Sequence, residues 1–285
     1  MNILITGSSG FVGSHLCEYL AKKNNIIGVA RKINKNKNHK IIKLDLSREI
    51  KEQKFIKVFG KNKIEAIIHL ASSLAYNHNI TKFELFENNI KITKNMIKII
   101  KIIKPKNFIN FSSMSIYPDT NGSFNENYIF KPNSNTDFLY GFSKYCSEIL
   151  FNNFFNISKK INITHLRVAQ IYGGKMNQNR IIPTMKKELK QKNSITVFGN
   201  GSRTSNFIHI DKLVRYIEFI LSKNIKGILN IGDKNISYLK LAKDIIIEKG
   251  NKKSIIIKKK EGNKNKFLLD INKFDKILKK YAYKQ

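Results

Sequence analysis

The chain has 285 residues, is 41% hydrophobic and carries a formal net charge of +33 at pH 7, which suits one large α/β domain or a main domain with a smaller lobe. Its lysines are spread along the whole chain between Asn and Ile, which indicates solvent-exposed faces of helices and strands rather than a nucleic-acid-binding surface. The positive charge of the protein still favours a substrate that carries a diphosphate. Lys and Asn interrupt every apolar stretch and the N-terminus has no basic leader, so we expect no membrane span, no signal peptide and a cytoplasmic location.

The first 170 residues alternate short apolar runs with amphipathic stretches. The runs are NILIT, NIIGVA, KIIKLD, EAIIHLA, KNFINFSS and INITHLRV. Helix-like segments such as FVGSHLCEYLAKK and LFENNIKITKNMIKIIKIIK separate them, and Pro105 is expected to stop the second of these. Strands that alternate with helices predict βαβ units and an α/β fold with a parallel sheet covered on both faces.

This rhythm changes after residue 172. A polar loop, YGGKMNQNR, precedes a helix, a strand–turn–strand segment, a second helix and short mixed elements with a Lys-rich tail. We therefore predict a main domain over residues 1–172 and a smaller lobe over residues 173–285, with a segment near 205–225 returning to the main domain. Cys17 and Cys146 have no metal-ligand spacing, so we predict two free thiols and no metal site.

Three glycines at positions 7, 10 and 13 follow the first apolar run, in MNILITGSSGFVG. Gly7 would allow a sharp strand-to-helix turn, Gly10 a close approach of the backbone, and Gly13 close packing of the helix on the sheet. The amides at the start of the helix would then face a pyrophosphate. The spacing therefore predicts a dinucleotide-binding turn.

With other segments, this turn resembles the extended short-chain dehydrogenases/reductases, the nucleotide-sugar epimerase/dehydratase/reductase family. The similarity runs from residue 1 to about residue 220, through TGSSGFVG, IIHLAS, NFINFSSMSIYP, YGFSK, LRVAQIYGG and VFGNGSRTSNFIHIDKLVR. It implies a Rossmann-type doubly wound parallel sheet with a smaller C-terminal substrate-binding lobe. It also implies a nucleotide-diphosphate sugar as substrate, a role in polysaccharide biosynthesis, and a homodimer. Further cofactor-lining positions implied are Phe11, Val12, Asp45, Leu46, Leu70, Ala71 and Asn89.

Three residues match the catalytic positions of that family: Ser113, Tyr140 and Lys144. Tyr140 and Lys144 form YxxxK, a spacing that places both on one helical face. A free tyrosine has a pKa of about 10, and an adjacent ammonium favours its phenolate, so Lys144 would assist proton transfer by Tyr140 and hold the nicotinamide ribose. Ser113 follows the apolar strand KNFINFS and would bond the reacting sugar oxygen. His69 and His209 are interpreted as structural.

The second predicted strand is followed by Arg31 and Lys32 instead of an acidic residue. An acidic side chain at this place binds the adenine ribose 2′-hydroxyl of NAD. An arginine there can instead donate two hydrogen bonds to the 2′-phosphate of NADP. We therefore expect NADP rather than NAD.

Family dehydratases carry Asp-Glu directly after the catalytic Thr or Ser, whereas Met114 and Ser115 follow Ser113 here. Because Met cannot transfer a proton, a 4,6-dehydratase is not expected. Two reactions remain open, both at the sugar C4: reduction of a 4-keto sugar by NADPH, which we favour, and NAD-dependent 4-epimerisation. A non-catalytic NADP- or RNA-binding member is a third, more distant alternative.

Two more positions are implied to bind the nucleotide sugar. Gln170 replaces the usual Asn of LRxxNxYG, and in GNGSRTSNF the usual Arg and Asp positions hold Ser205 and Asn206. Arg203 would then contact the phosphates in place of that Arg. The sugar, the nucleotide and the stereochemistry stay open at this level.

Overall fold

The computed structural model describes residues 1–32, 39–60, 63–76, 79–131, 135, 137–155 and 160–283. Fourteen strands lie in this part of the chain: β1 Asn2–Thr6, β2 Asn25–Ala30, β3 Lys40–Lys43, β4 Ala66–His69, β5 Asn107–Phe111, β6 Gly122–Phe124, β7 Asn162–Val168, β8 Gln170–Tyr172, β9 Ser194–Val197, β10 Thr204–His209, β11 Gly227–Ile231, β12 Lys234–Ser237, β13 Ile255–Lys258 and β14 Phe267–Leu269. The same residues form eight α-helices: α1 Phe11–Leu20, α2 Glu52–Phe59, α3 Phe83–Ile103, α4 Phe138–Phe155, α5 Ile181–Lys192, α6 Ile210–Ser222, α7 Tyr238–Lys249 and α8 Asn272–Lys280.

Seven strands form the central sheet, in the order β11-β7-β5-β4-β1-β2-β3. The pairs β1–β2, β2–β3, β1–β4, β4–β5 and β5–β7 are all parallel. The chain runs outward from β1 in one direction through β2 and β3, and then in the other through β4, β5 and β7. This arrangement confirms the predicted doubly wound α/β fold and places a topological switch point between β1 and β4.

The apolar runs form the sheet because both of its faces are covered. Four of the five residues of β1 and five of the six of β2 are buried, as expected for parallel strands between two helical layers. One core cluster joins Leu4, Ile67 and Phe108 of the sheet to Phe55 of α2 and Ile99 of α3. Helix α3 ends at Ile103, and the next residue adopts a left-handed conformation before the predicted stop at the proline.

The chain divides into two compact units. Unit 1 consists of Met1–Pro118, Ile129–Val168 and Asp211–Leu229, and unit 2 consists of Asp119–Tyr128, Ala169–Ile210 and Asn230–Gln285. Unit 2 contains a three-stranded sheet, β12-β10-β8, and two parallel pairs, β13-β9 and β14-β6. Its core includes Met185 and Leu189 of α5, Ile195 of β9 and Ile245 of α7.

Among the described residues, no helix combines the length and hydropathy needed to span a membrane. Cys17 is buried, Cys146 is half-buried, and both are free thiols.

Candidate active site

The glycine turn connects β1 to α1 at the carboxyl end of the sheet. Gly7 has a φ of +72°, and a Cβ atom on Gly13 would lie 2.2 Å from the carbonyl oxygen of Gly7. Any side chain at position 13 would therefore push α1 away from the turn. Helix α1 begins after Gly10, which has no side chain to cap it, and its first turn holds no acidic residue. The first N–H groups of α1 can therefore serve an anionic ligand.

The end of β4 lies directly against this turn. A Cβ atom on Gly7 would lie 2.9 Å from the backbone nitrogen of Ala71, and that nitrogen donates to Thr6 Oγ1 over 3.2 Å. The backbone nitrogen of Leu70 donates to the carbonyl oxygen of Thr6 over 3.2 Å. The structure therefore brings Leu70 and Ala71, both predicted to line the cofactor, to the glycine turn.

His69 stabilises the same junction. Its Nδ1 lies 2.7 Å from Thr6 Oγ1, a hydroxyl oxygen that also accepts a hydrogen bond from the backbone nitrogen of Ala71. Complete burial, together with the positive charge of Lys144, lowers the pKa of His69 to about 3. His69 is therefore a neutral residue, in line with its structural interpretation.

Replacing His69 with Asn is expected to flatten the acid dependence of stability. The unfolded state takes up a proton near pH 6.5 but the folded state only near pH 3, so the free energy of unfolding falls as pH decreases below about 6.5. The slope from this residue approaches about 1.4 kcal/mol per pH unit. Urea denaturation at several pH values measures it, with the half-buried His15→Asn as the matched control. Equal slopes in wild type and His69→Asn would contradict the assignment.

The start of α4, which carries Tyr140, lies in close backbone contact with the turn that follows Ser113. Ser113 follows β5, and its Oγ accepts from the backbone nitrogen of Ser115 over 3.0 Å, which caps the short 3-10 turn Met114–Ile116. A Cβ atom on Gly141 would lie 2.0 Å from the carbonyl oxygen of Ser115, so only glycine lets α4 approach this turn. Ser113 and Ser115 are half-buried and Ser112 is buried, and the selection of Ser113 stays a prediction.

Lys144 lies one turn after Tyr140 on the buried face of α4. Its Nζ is 5.9 Å from the centroid of the Tyr140 ring, and only 5% of the residue is exposed. Burial lowers the pKa of Lys144 to about 8, although the negative charge of Glu148 acts in the opposite direction. The ammonium is thus still charged at neutral pH and acts in a low-dielectric environment.

Asn89 of α3 connects the loop after β4 to α4. Its Oδ1 accepts from Ser73 N and from Ser72 Oγ, and its Nδ2 donates to Ser73 O and, over 2.9 Å, to Ser143 Oγ. Ser143 Oγ in turn donates to the carbonyl oxygen of Tyr140 over 2.7 Å. The amide of Asn89 is therefore engaged with protein atoms, and it orients the helix turn that carries Tyr140.

A buried ion pair joins Glu148, one turn after Lys144 on α4, to Arg167 of β7. The sequence did not predict this pair. Arg167 donates from Nε and Nη2 to the two oxygens of Glu148, over 3.1 and 2.8 Å, and from Nη1 to the hydroxyl of Tyr117 over 3.0 Å. One sequence signal was present, because a charged Arg stands within the apolar run INITHLRV. Its partner could not be recognised without the fold.

At the other end of the predicted cofactor site, Arg31 and Lys32 are exposed after β2. Burial raises the pKa of Asp45, but hydrogen bonds from Ser47 and the charges of Arg31 and Arg48 outweigh it, so the carboxylate stays ionised. The side chain of Leu46 is packed in the core and its carbonyl oxygen accepts from the Asn95 amide. The predicted contact of Leu46 with the cofactor stays a prediction.

The two residues predicted to bind the nucleotide sugar lie in unit 2. Gln170 of β8 donates from Nε2 to Ser205 Oγ over 2.9 Å. Arg203 donates from Nη2 to Asp119 over 2.7 Å, and its guanidinium lies 5.4 Å from the ring centroid of Tyr238. Among the described residues, Nε and Nη1 of Arg203 have no hydrogen-bond acceptor, so these donors can serve a phosphate.

A nicotinamide dinucleotide fits the residues present in unit 1. The uncapped start of α1 and the side-chain-free turn at Gly7 and Gly13 suit a pyrophosphate. The buried ammonium of Lys144 could donate to the hydroxyls of a ribose.

Comparisons with known proteins find similar sequences over most of the chain. A sequence model of the NAD dependent epimerase/dehydratase family matches residues 3–232. The chain is 35% identical over 273 residues to a dTDP-D-glucose 4,6-dehydratase of Dictyostelium discoideum, covering 86% of this chain but only 61% of that protein. It is 27% identical over 300 residues to an uncharacterized UDP-glucose epimerase of Bacillus subtilis, covering 98% and 92% of the two chains.

Solved structures show the same fold. A UDP-glucuronic acid 4-epimerase from Bacillus cereus in complex with NAD matches with a TM-score of 0.77 at 26% identity, over 97% of this chain and 92% of that one. A UDP-N-acetylglucosamine 4-epimerase from the same species matches with a TM-score of 0.80 at 22% identity, over 98% and 90%. The second similarity concerns the fold alone.

Proposed function

The chain belongs to the NAD-dependent epimerase/dehydratase family, and from this premise we propose that it catalyses hydride transfer at C4 of a nucleotide-diphosphate sugar, with Tyr140 as the acid–base group. The observation that carries the proposal is the contact of Gly141 with the carbonyl oxygen of Ser115. It supports a site in which the phenol, the ammonium of Lys144 and the hydroxyl of Ser113 act on one sugar carbon.

Each residue has a separate task in this reaction. When bound, the nicotinamide dinucleotide supplies or accepts the hydride. Tyr140 moves the proton on the C4 oxygen, donating it during reduction and accepting it during oxidation. Lys144 favours the phenolate by its charge, and Ser113 holds the C4 oxygen by a hydrogen bond. The remaining donors of Arg203 and the amide of Gln170 are proposed to bind the diphosphate and the sugar.

We propose no dehydration, although one relative is named a 4,6-dehydratase. The removal of water needs a proton donor directly after Ser113, and the chain has Met114 there. Of the two remaining reactions, we propose reduction of a 4-keto sugar by NADPH first, because Arg31 and Lys32 suit a 2′-phosphate. The second candidate is 4-epimerisation, which the similarity to UDP-glucuronic acid 4-epimerase favours.

One experiment tests the reaction class. The purified chain is incubated with NAD+ or NADPH and with UDP- and dTDP-linked hexoses or their 4-keto forms, while absorbance reports the reduced nicotinamide and NMR identifies the sugars. Net oxidation of NADPH with a 4-keto sugar is the expected result for a reductase, and interconversion of C4 epimers without net oxidation for an epimerase. Release of a 4-keto-6-deoxy sugar from dTDP-glucose, or no turnover of any member of the panel, would contradict the proposal.

Replacing Arg31 with Ala is expected to weaken NADP binding at least about tenfold and to leave NAD binding within about twofold, because only NADP carries the 2′-phosphate. Titration calorimetry with each dinucleotide measures both dissociation constants. Arg48→Ala is the matched control, since Arg48 is also exposed and forms an ion pair with Asp45. Tighter binding of NAD than NADP by the wild-type protein would overturn the NADP assignment.

We further propose a homodimer formed through the outer faces of α3 and α4. Phe83 on α3 is 62% exposed, and Ile149 and Phe154 on α4 are 49% and 45% exposed, which leaves apolar surface on both helices. Ring contacts between Phe83 and Phe86 and between Phe86 and Phe142 connect the two helices. Two copies of this helix pair would bury these side chains in a four-helix bundle.

Ile149→Lys is expected to convert this dimer to a monomer, because it would bury a charge in an apolar interface. Light scattering coupled to gel filtration measures the mass. Ile247→Lys in unit 2 is the control, since Ile247 is 82% exposed and lies outside the proposed interface. A monomeric wild-type protein, or an Ile149→Lys variant with an unchanged mass, would contradict this prediction.

A further inference from the structure

Three charged side chains are buried together in unit 1 beside the proposed acid–base residue. Lys144, Glu148 and Arg167 are 5%, 2% and 1% exposed, and Tyr117, which contacts Arg167, is 1% exposed. The cluster contains two cations and one anion. Buried charges are screened less than charges at the surface, so the one excess positive charge acts strongly on neighbouring groups.

Both oxygens of the single anion are held by one of the two cations. Arg167 of β7 binds Glu148 through Nε and Nη2, and a third donor, Nη1, reaches the Tyr117 hydroxyl. Tyr117 also presents its ring to the guanidinium, 5.3 Å from the ring centroid. This bidentate geometry fixes the position of the carboxylate as well as its charge.

Lys144 makes no ion pair within the described part of the chain, although Glu148 follows one turn later on the same helix. Tyr140 on α4 and His69 on β4 also interact with Lys144, whereas His165 on β7 and Tyr117 after β5 interact with the Glu148–Arg167 pair. Burial lowers the pKa of His69 to about 3 and that of His165 to about 4, so both are neutral. Lys144, whose Nζ lies 5.9 Å from the centroid of the Tyr140 ring, is therefore a cation beside Tyr140 that no direct ion pair offsets in the described residues.

We propose that Arg167 is a positioning residue: by holding both oxygens of Glu148, it keeps this carboxylate from pairing directly with Lys144 and leaves the ammonium to act on Tyr140. The role of Tyr140 in this inference rests on the proposed function. The distribution of charge among Lys144, Glu148 and Arg167 does not rest on the proposed function, because it is a property of the protein without cofactor or substrate. Glu148 still attracts the Lys144 proton from one turn away and opposes the lowering of its pKa by burial.

This arrangement predicts that replacing Glu148 and replacing Arg167 change the pKa of Lys144 in opposite directions. Glu148→Gln removes the attraction, so the pKa of Lys144 should fall by about one pH unit. Arg167→Met releases the Glu148 carboxylate to pair with Lys144, so the pKa of Lys144 should rise by about one pH unit. A residue that only filled space would not move this pKa in opposite directions when the two partners are replaced.

NMR of the cofactor-free protein labelled with 13C-lysine tests the inference by titration from about pH 5 to about pH 11. The Lys144 signal is assigned by its loss in Lys144→Arg. The double variant Glu148→Gln/Arg167→Met should titrate like Glu148→Gln, because Arg167 acts through Glu148. If Arg167→Met fails to fold, Arg167→Lys replaces it and should give a smaller rise, since one ammonium cannot grip both carboxylate oxygens.

An unchanged titration of Lys144 in Glu148→Gln would overturn the inference. A pKa of Lys144 that falls or stays unchanged in Arg167→Met, or that falls in Arg167→Lys, would do the same. These outcomes are separate from a failure of the proposed function, because no turnover enters the measurement.

Discussion

Replacing Tyr140 with Phe is expected to lower turnover of the nucleotide sugar by a factor of about 10² to 10⁴, the usual contribution of general acid–base catalysis. The variant loses only the phenolic hydroxyl, so Lys144, Ser113 and the glycine turn keep their places. Affinity for the dinucleotide, measured by titration calorimetry, should change by less than about threefold. Loss of turnover with retained binding would separate proton transfer from assembly of the site.

Tyr145→Phe is the matched control for this variant. Tyr145 lies five residues later on α4, and its ring stacks on Phe130, 4.7 Å between centroids. The Phe variant keeps this ring contact, so turnover and thermal stability should both match the wild type. Turnover by Tyr140→Phe at the wild-type rate would show that another group moves the proton, and the catalytic assignment would be lost.

Replacing Gly141 with Ala is expected to destabilise the protein by about 1–3 kcal/mol and to reduce turnover by about a hundredfold. The added Cβ would lie 2.0 Å from the carbonyl oxygen of Ser115, so α4 and the turn after Ser113 must separate. Such a shift moves Tyr140 away from Ser113. Thermal denaturation measures the first effect, and steady-state kinetics the second.

Gly174→Ala serves as the control for Gly141→Ala, because a Cβ atom on Gly174 would meet nothing within 4 Å. The two variants add the same methyl group, so any difference between them reports the close contact at Ser115. If Gly141→Ala is as active and as stable as Gly174→Ala, the close approach of α4 does not determine the geometry of the site.

The predicted sheet and glycine turn were recognisable because both depend on residues close together in the chain. Buried parallel strands need continuous apolar runs, so NIIGVA and INITHLRV predict strands without any knowledge of their neighbours. Tyr140 and Lys144 could likewise be paired from their spacing on one helix.

The partners of several polar side chains could not be predicted in the same way. Arg167 and Glu148 lie on different elements, and Arg203 meets Asp119 from 84 positions away. Many carboxylates and amides in this sequence would serve equally well as partners. Only the packing of particular elements selects one of them.

By itself, the sequence determined the βαβ order, the dinucleotide-binding turn and the presence of a Tyr–Lys pair, since periodicity and spacing encode local backbone structure. The tertiary structure decided the surroundings of that pair. Gly141 lets α4 approach the turn after Ser113, and Arg167 binds the Glu148 carboxylate, which could otherwise have paired with Lys144. The physical reason is that buried charge and close packing depend on distances between distant segments, which the chain acquires only when those segments pack together.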